Sequence, residues 1–324
     1  MREGYTVAVV GAGLVGERLV AELRRRKFPL KELRVLARTT RRAVLAGETF
    51  EVGAAEPGAF EGVDYALFAG TEGEKGAAVQ LSREAISRGA VVIDNGSDFR
   101  LDPEVPLVVP EVNAAALEHH NGIIANPNCS TIQLVVSLAP LAREFGLRKV
   151  IVSTYQAVSG AGRGGVEALE NGREDAFPKP IQGNAIPLIG GVGEDGYTTE
   201  EAKMRQESRK ILSLPDLPVF ATAVRIPVHT GHAESVHIET ERDASLSEVL
   251  EVMGETPGVV FSGDPADFPT PLEAAGEQGV YVGRLRVEDR SIGYWCVADN
   301  LLKGAATNAV QIAESLVGVA HARP

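Results

Sequence analysis

Tyr5-Thr6-Val7-Ala8-Val9-Val10-Gly11-Ala12-Gly13-Leu14-Val15-Gly16 is the stretch whose reading decides the fold. The apolar run Tyr5 to Val10 is too short for a helix and reads as a buried strand. It ends in three glycines spaced G-x-G-x-x-G, and Glu17 to Arg26 (ERLVAELRRR) then reads as a helix. Strand, glycine turn and helix in that order make a cradle for phosphates. Gly11 permits the tight turn, Gly13 lets a pyrophosphate approach the backbone, and Gly16 lets helix and strand pack closely. The first N–H groups of the helix have no partner within it and are offered to the anion. Gly11, Ala12, Gly13, Leu14, Val15 and Gly16 are therefore candidate dinucleotide-binding residues.

Working outward, Leu33 to Ala37, Tyr65 to Ala69 and Val91 to Asp94 read as further strands, and Ala77 to Arg88 as a helix. Alternating strands and helices predict a parallel sheet wound by helices, a Rossmann domain over about residues 1–127. The end of the second strand bears on the cofactor. An NAD site usually places Asp or Glu there for the ribose 2′-hydroxyl. Here the chain runs Ala37-Arg38-Thr39-Thr40-Arg41-Arg42, with no acid and three arginines. A 2′-phosphate suits that charge, so the expected cofactor is NADP, with Arg38, Thr39 and Arg41 as its contacts.

The pattern changes near residue 127. Ser130 to Phe145 reads as a long apolar helix, and Lys149 to Gln156 is β-rich. Gly/Pro-rich chain follows from Ala176 to Gly196. Thr199 to Leu212 reads as a helix with Thr199 as its cap. Val219 to Val228, Glu234 to Glu241, Val280 to Glu288 and Ile292 to Ala298 read as strands. Residues 128–302 are thus expected to form an α+β domain with a largely antiparallel sheet. Ala305 to Val319 reads as an amphipathic helix. The segment 303–324 is expected to pack back on the first domain.

Two cysteines, far apart, offer neither a disulfide framework nor a CxxC metal site, and no metal is expected. A reducing cytoplasm is the default setting. The net charge of −12 speaks against a nucleic-acid or anionic-membrane surface, since both require clustered basic residues. No apolar run reaches membrane-spanning length. The two cysteines differ in context. Cys129, in Asn126-Pro127-Asn128-Cys129-Ser130-Thr131, stands where the long helix begins, and the macrodipole there favours thiolate. The same amides could hold a developing oxyanion. Cys296 sits inside Gly293-Tyr294-Trp295-Cys296-Val297 and reads as a small core residue.

From Asn126 to Thr131 the chain resembles the nucleophile motif of the aspartate-semialdehyde dehydrogenases. Tyr155-Gln156-Ala157-Val158-Ser159-Gly160-Ala161-Gly162 resembles that family's Gln- and Gly-rich loop. Arg225-Ile226-Pro227-Val228 with Gly231-His232 resembles its substrate-and-base segment. Phe268-Pro269-Thr270-Pro271 and Asp299-Asn300-Leu301-Leu302-Lys303-Gly304-Ala305-Ala306 also match. The likeness is ordered along nearly the whole chain. It departs at the first glycine motif, where the family often has Gly-Ala-Thr-Gly-x-x-Gly, at Asp98, and in the acidic stretch after Gly70.

The resemblance implies a two-domain α/β fold of glyceraldehyde-3-phosphate-dehydrogenase-like type. It implies reduction of β-aspartyl phosphate to aspartate semialdehyde and phosphate by NADPH, in the pathway to lysine, threonine, methionine and diaminopimelate. Cys129 would be the nucleophile, His232 the acid/base and Gln156 the orienting amide. Arg225 would pair with the substrate carboxylate and Glu200 with its ammonium. Lys203, Arg100 and Asn128 would bind phosphate. Glu201 is the alternative to Glu200. Gly70, Thr71, Ser159, Gly160 and Asn300 would join the cofactor contacts. A homodimer is implied, with a tetramer as the alternative. Competing functions are N-acetyl-glutamyl-phosphate reductase, whose acetylated substrate has no ammonium for Glu200, and a non-catalytic NADP-binding paralogue.

Overall fold

Strand β1 (Tyr5–Val10) runs into the glycine turn and then helix α1 (Leu14–Arg25). The computed structural model describes residues 4–70, 76–173 and 175–318. They form two units, residues 4–127 with 305–318, and residues 128–304. Thr71, the acidic stretch at 71–75 and the chain after residue 318 lie outside the described residues.

In the first unit β2 (Leu30–Ala37), β3 (Arg41–Leu45), β4 (Glu48–Ala54) and β5 (Tyr65–Phe68) precede helix α2 (Ala77–Ser87). Strand β6 (Val91–Asp94), a single turn α3 (Pro110–Asn113) and β7 (Ile123–Ala125) complete the sheet. The strand order is β3-β4-β2-β1-β5-β6-β7. All neighbours are parallel except β3 with β4. The order reverses at β1, which puts the glycine turn at the switch point where such sheets bind ligands.

The β3–β4 hairpin is an addition to the expected all-parallel sheet. Its turn, Ala46-Gly47, has φ values of 50° and 79°. That is the left-handed pair a tight hairpin needs, but Ala stands where Asn or Asp usually signals it. Arg41 and Arg42 consequently belong to a strand rather than a loop, and both are exposed with Arg38 and Thr39.

The second unit opens with α4 (Cys129–Phe145), β8 (Lys149–Gln156), α5 (Gly162–Asn171), α6 (Thr199–Leu212) and β9 (Val219–Arg225). Strands β10 (His232–Glu239), β11 (Val259–Phe261), β12 (Val280–Glu288) and β13 (Ser291–Ala298) follow, with α7 (Leu246–Gly254) and the short α8 (Pro271–Ala274) between them. The sheet order is β11-β12-β13-β10-β8-β9, with three antiparallel and two parallel pairings. It is therefore mixed. The parallel β8–β9 pair follows from the long crossover that contains α5 and α6. Helices α4 and α6 pack on one face, which buries Val150, Val152, Thr154 and Gln156 of β8.

The cap of α6 is Thr198, not Thr199. Its hydroxyl accepts from Glu201 N at 3.3 Å, and Glu201 returns a carboxylate to Thr198 N at 2.7 Å. This capping box satisfies two otherwise unpaired N–H groups.

The last helix, α9 (Thr307–Val317), is preceded by a wide turn at Leu302–Ala306 and belongs to the first unit. It was expected to begin at Ala305 and to be amphipathic. Instead every residue from Thr307 to Glu314 is buried. Ala309, Val310, Ile312 and Ala313 enter the apolar core with Leu19, Val20 and Leu23 of α1. Each fully buried Val or Leu contributes about 1.5–3 kcal/mol. The polar residues of α9 are buried with partners. Thr307 donates to Glu22 at 2.9 Å, Asn308 to Asn126 at 2.7 Å, and Gln311 to Glu111 at 2.8 Å. Glu314 takes a two-pronged bond from Arg26, at 3.0 and 2.8 Å.

That ion pair is nearly fully buried, so removing one partner strands a charge. Glu314→Ala should lower unfolding stability by roughly 3–5 kcal/mol. Urea denaturation of the variant against wild type measures it, and coincident midpoints would contradict the account.

Candidate active site

Asn128 builds the start of α4. Its Oδ1 accepts from Ser130 N at 3.0 Å and Thr131 N at 3.1 Å, capping the helix and setting Cys129 as its first residue. Cys129 is half-buried. The cap takes the Ser130 and Thr131 amides, so these two are not open to an oxyanion. The Asn128 Nδ2 donates to Glu200 at 3.0 Å, and its backbone N–H donates to Glu207 at 2.7 Å.

Glu200 is also the acceptor for Gln156 Nε2, at 3.1 Å. Gln156, Asn128 and Glu200 thus form one buried cluster. Glu201 is committed elsewhere, to the Thr198 cap and to Ala223 N at 2.9 Å. The two neighbouring acids therefore part company, and Glu200 is the one beside Gln156 and Asn128. Lys203 lies one turn on from Glu200 along α6 and is half-buried.

Ala157 holds the two remaining groups through its backbone. Its N–H donates to His232 Nδ1 at 3.0 Å, and its C=O accepts from Arg225 Nη1 at 2.6 Å. With Nδ1 occupied as an acceptor, the neutral ring carries its proton on Nε2. His232 is fully buried, and its Nε2 has no hydrogen-bond partner among the described residues. Burial pulls its pKa well below the usual 6.5, and the charge of Arg225 pulls the same way. The imidazole is uncharged at neutral pH and is first a donor at Nε2. To take a proton there it must first give one up.

Arg225 is buried as well, and burial lowers its pKa while Glu200 and Cys129 oppose that shift. Gly160 explains how Arg225 and His232 share one wall. A Cβ at Gly160 would stand 2.8 Å from Arg225 Nη1 and 3.2 Å from His232 Nε2. Ser159 and Asn300 hydrogen-bond each other at 3.0 Å, and Asn300 Oδ1 accepts from Gly231 N at 2.9 Å, which fixes the turn before His232.

The glycine turn lies in the first unit. Gly11 has φ +114°, and a Cβ at Gly16 would lie 1.8 Å from Gly11 O. At Gly13 a Cβ would meet nothing within 4 Å, so the glycine leaves open space in front of the α1 N-terminus. No side chain caps that terminus. Open space, an uncapped helix start and the exposed Arg38 and Arg41 fit a dinucleotide phosphate. Gly70, two residues after β5, has φ +83°. Arg100 is buried in the first unit, where it donates to Asn126 O at 2.9 Å and Asn95 O at 2.7 Å.

The model of the semialdehyde dehydrogenase NAD binding domain matches residues 6–120, and that of the semialdehyde dehydrogenase dimerisation domain matches residues 138–303. The chain belongs to the semialdehyde dehydrogenase family. It is a nicotinamide-dinucleotide-dependent oxidoreductase of that family. The chain is 47% identical to the aspartate-semialdehyde dehydrogenase of Bacillus subtilis, over 98% of each chain. It is 46% identical to that of Aquifex aeolicus, over 97% of this chain and 98% of the other. The crystal structure of aspartate semialdehyde dehydrogenase II from Vibrio cholerae superposes with a TM-score of 0.92 at 42% identity, covering 97% of this chain and 99% of that one. The same enzyme complexed with ASA also gives 0.92, at 41% identity, covering 98% and 99%.

Sequence reasoning passed over Glu207 and Ala157. Glu207 was legible as a second acid seven residues after Glu200, on the same helix face with Met204 between. Ala157 acts through its peptide unit and carries no such signal. Cys296 is fully buried, and burial pushes its thiol well above the usual range, as suits a core residue. Among the described residues no group of three or more His, Cys, Asp or Glu could hold a metal ion.

Gly160→Ala should push Arg225 and His232 apart. A displacement of that size is expected to lower kcat/KM about 100-fold, since geometry carries much of such catalysis. Steady-state kinetics with a thermal melt checks this. Wild-type kinetics would show that the close approach does not matter.

Proposed function

We propose that the protein reduces β-aspartyl phosphate to aspartate semialdehyde and phosphate, with NADPH as reductant and Cys129 as nucleophile. The observation that carries this reading is the setting of Cys129. It opens a capped helix, and buried Arg225, His232, Gln156 and Glu200 gather in the same unit. The relatives named above support the substrate. So does Glu200, a carboxylate suited to a free ammonium, which the acetylated glutamyl substrate lacks.

The Cys129 sulfur attacks the acyl carbon, phosphate leaves, and a thioester joins substrate to enzyme. Splitting the reaction there replaces one hard step by two easier ones. NADPH, when bound, supplies the hydride that reduces the acyl group. The carbon–sulfur bond then breaks, releasing aldehyde and restoring the thiolate. His232 donates from Nε2 to the carbonyl oxygen as charge develops there, alongside the Cys129 N–H. Arg225 grips the substrate carboxylate, Gln156 orients the reacting group, and Glu200 meets the ammonium. Lys203, Arg100 and Asn128 bind the phosphate. Gly11 to Gly16, Arg38, Thr39, Arg41 and Gly70 hold the dinucleotide, the arginines favouring its 2′-phosphate. Ser159, Gly160 and Asn300 are the proposed cofactor contacts of the second unit. The aldehyde serves the aspartate-derived amino acids in the cytoplasm.

The test is phosphate-dependent reduction of NADP by the purified protein with aspartate semialdehyde. Cys129→Ala should reduce turnover by several orders of magnitude while NADPH still binds. Undiminished turnover in that variant would end the mechanism.

The working form is a homodimer joined through the second unit. The face of its sheet away from α4 exposes Ile151 and Phe220 and leaves Tyr155 and Trp295 half-buried. An apolar sheet face of that kind suits a second copy. Sedimentation should give twice the chain mass, and Ile151→Glu combined with Phe220→Glu should shift it to monomer. A monomeric wild type would refute this interface.

A further inference from the structure

Beneath the reacting pair lies a second layer of polar side chains that the mechanism leaves unused. Glu234 follows His232 by two residues on β10, so both project from the same face of the sheet. Gln133 follows Cys129 by four on α4, one turn along the same helix face. Two strand residues span about 6.6 Å and one helical turn about 5.4 Å, so the steps are nearly equal. Glu234 pairs in register with Cys296 on β13 and Thr154 on β8. Cys296 Sγ reaches the Gln133 carbonyl at 3.7 Å, and Thr154 Oγ1 accepts from Gln156 Nε2 at 3.2 Å. The lower layer is thus Gln133, Glu234, Thr154 and Cys296, directly under Cys129, His232 and Gln156.

Glu234 is fully buried, and neither carboxylate oxygen closes a hydrogen bond among the described residues. The same holds for both polar atoms of the Gln133 amide. That amide is still near enough to favour the charged carboxylate, against a larger opposing effect of burial. An unpaired buried carboxylate costs far more than a neutral acid. Among the described residues, the charged side chain that acts on it is an acid, Glu200. Strand β13 presents Tyr294 and Cys296, both held uncharged by burial. Helix α6 presents Glu200, whose charge further disfavours ionisation of Glu234. Strand β8 presents Thr154, α4 presents Gln133 below Cys129, and β10 itself carries His232. Arg225 on β9 acts on His232.

We propose that Glu234 and Gln133 are positioning residues, an acid–amide pair one step beneath His232 and Cys129 that holds the two at their working distance. This rests on Cys129 and His232 being the reacting pair. A hydrophobic filler could occupy the same volume. The acid and amide instead set a donor and an acceptor close to each other, and the uncharged acid adds no second negative charge beside Glu200.

The sign of the pH effect follows from burial. An unfolded Glu ionises near its ordinary 4.5, while Glu234 in the fold keeps its proton to a higher pH. Within that window the folded state binds more protons than the unfolded one, so stability falls as pH rises. Glutamine does not titrate. The thermal midpoint of Glu234→Gln should therefore gain on wild type as pH rises.

The experiment compares wild type, Glu234→Leu, Glu234→Gln and Gln133→Leu in kcat, in KM and in thermal midpoint across about pH 5–9. Glu234→Leu should lose about tenfold or more in kcat with KM within about twofold, and Glu234→Gln should recover to within about threefold of wild type. Gln133→Leu should fall with Glu234→Leu, and it carries the test should Glu234→Leu fail to fold. Wild-type kcat in the leucine variants overturns the proposal. So does a folded Glu234→Gln as impaired as Glu234→Leu, or one whose midpoint does not gain with pH. Activity in Cys129→Ala would instead strike at the nucleophile assignment, so the two failures are distinct.

Discussion

Three polar groups of one residue, Asn128, set the geometry on which the second unit's chemistry depends. Its Oδ1 closes the first turn of α4, its Nδ2 reaches Glu200, and its backbone N–H reaches Glu207. The residue that starts the helix thereby also fixes where α6 stands against it. A nucleophile at a frayed helix end would wander by more than the tolerance of an attacking atom, and a cap is what stops fraying. Glu200 and Glu207 are both buried, and in these bonds each receives a donor for its negative charge.

The cluster keeps its charges few and separate. Arg225 is the buried cation among Cys129, Glu200 and His232, and its field helps hold the imidazole neutral. The Ala157 peptide serves both, donating to one and accepting from the other. A side chain in that place would bring its own rotamers and its own titration. A backbone unit brings neither, and its position is set by the β8–β9 pairing that ends at Gln156 and Arg225.

Much of this was legible in the residues. The glycine spacing after a short apolar strand gave the wound sheet and its binding turn. Cys129, ahead of a long apolar stretch, was expected at or near a helix start, and α4 begins there; the cap by Asn128 was not read from the residues. Other features escaped because they are made by distant partners. Nothing in Arg41 to Ala54 alternates strongly enough to announce a hairpin, and its turn uses Ala46 in a left-handed conformation that alanine seldom adopts. The polar residues of α9 suggested a wet face, yet Glu22, Arg26, Glu111 and Asn126 lie far away in sequence and cover it. Glu234 shares its parity with Val236 and Ile238, so alternation sets it on the apolar face, where an acid is not expected. What the residues alone could not give is its neighbours there, which the register identifies as Thr154 and Cys296.

The glycine content, above that of an ordinary chain, finds part of its reason here. At Gly304 a Cβ would sit 3.0 Å from Cys129 Cβ, and at Gly231 one would sit 2.6 Å from Pro271 O. Gly304 and Gly160 let backbone come within contact of Cys129, His232 and Arg225, where any side chain would hold them apart, and Gly231 lets the turn before His232 lie against Pro271. Gly16 does the same where α1 meets β1. A chain poor in aromatic residues has few large groups with which to wall a reactive centre. It closes the space instead by bringing main chain up to it. The N–H groups of these glycines are committed nearby: Gly160 donates to Ala157 O, Gly304 to Asp299 O and Gly231 to Asn300 Oδ1. Glycine therefore supplies the close approach, while the main-chain hydrogen bonds to the imidazole and the guanidinium come from a residue that keeps its side chain, Ala157.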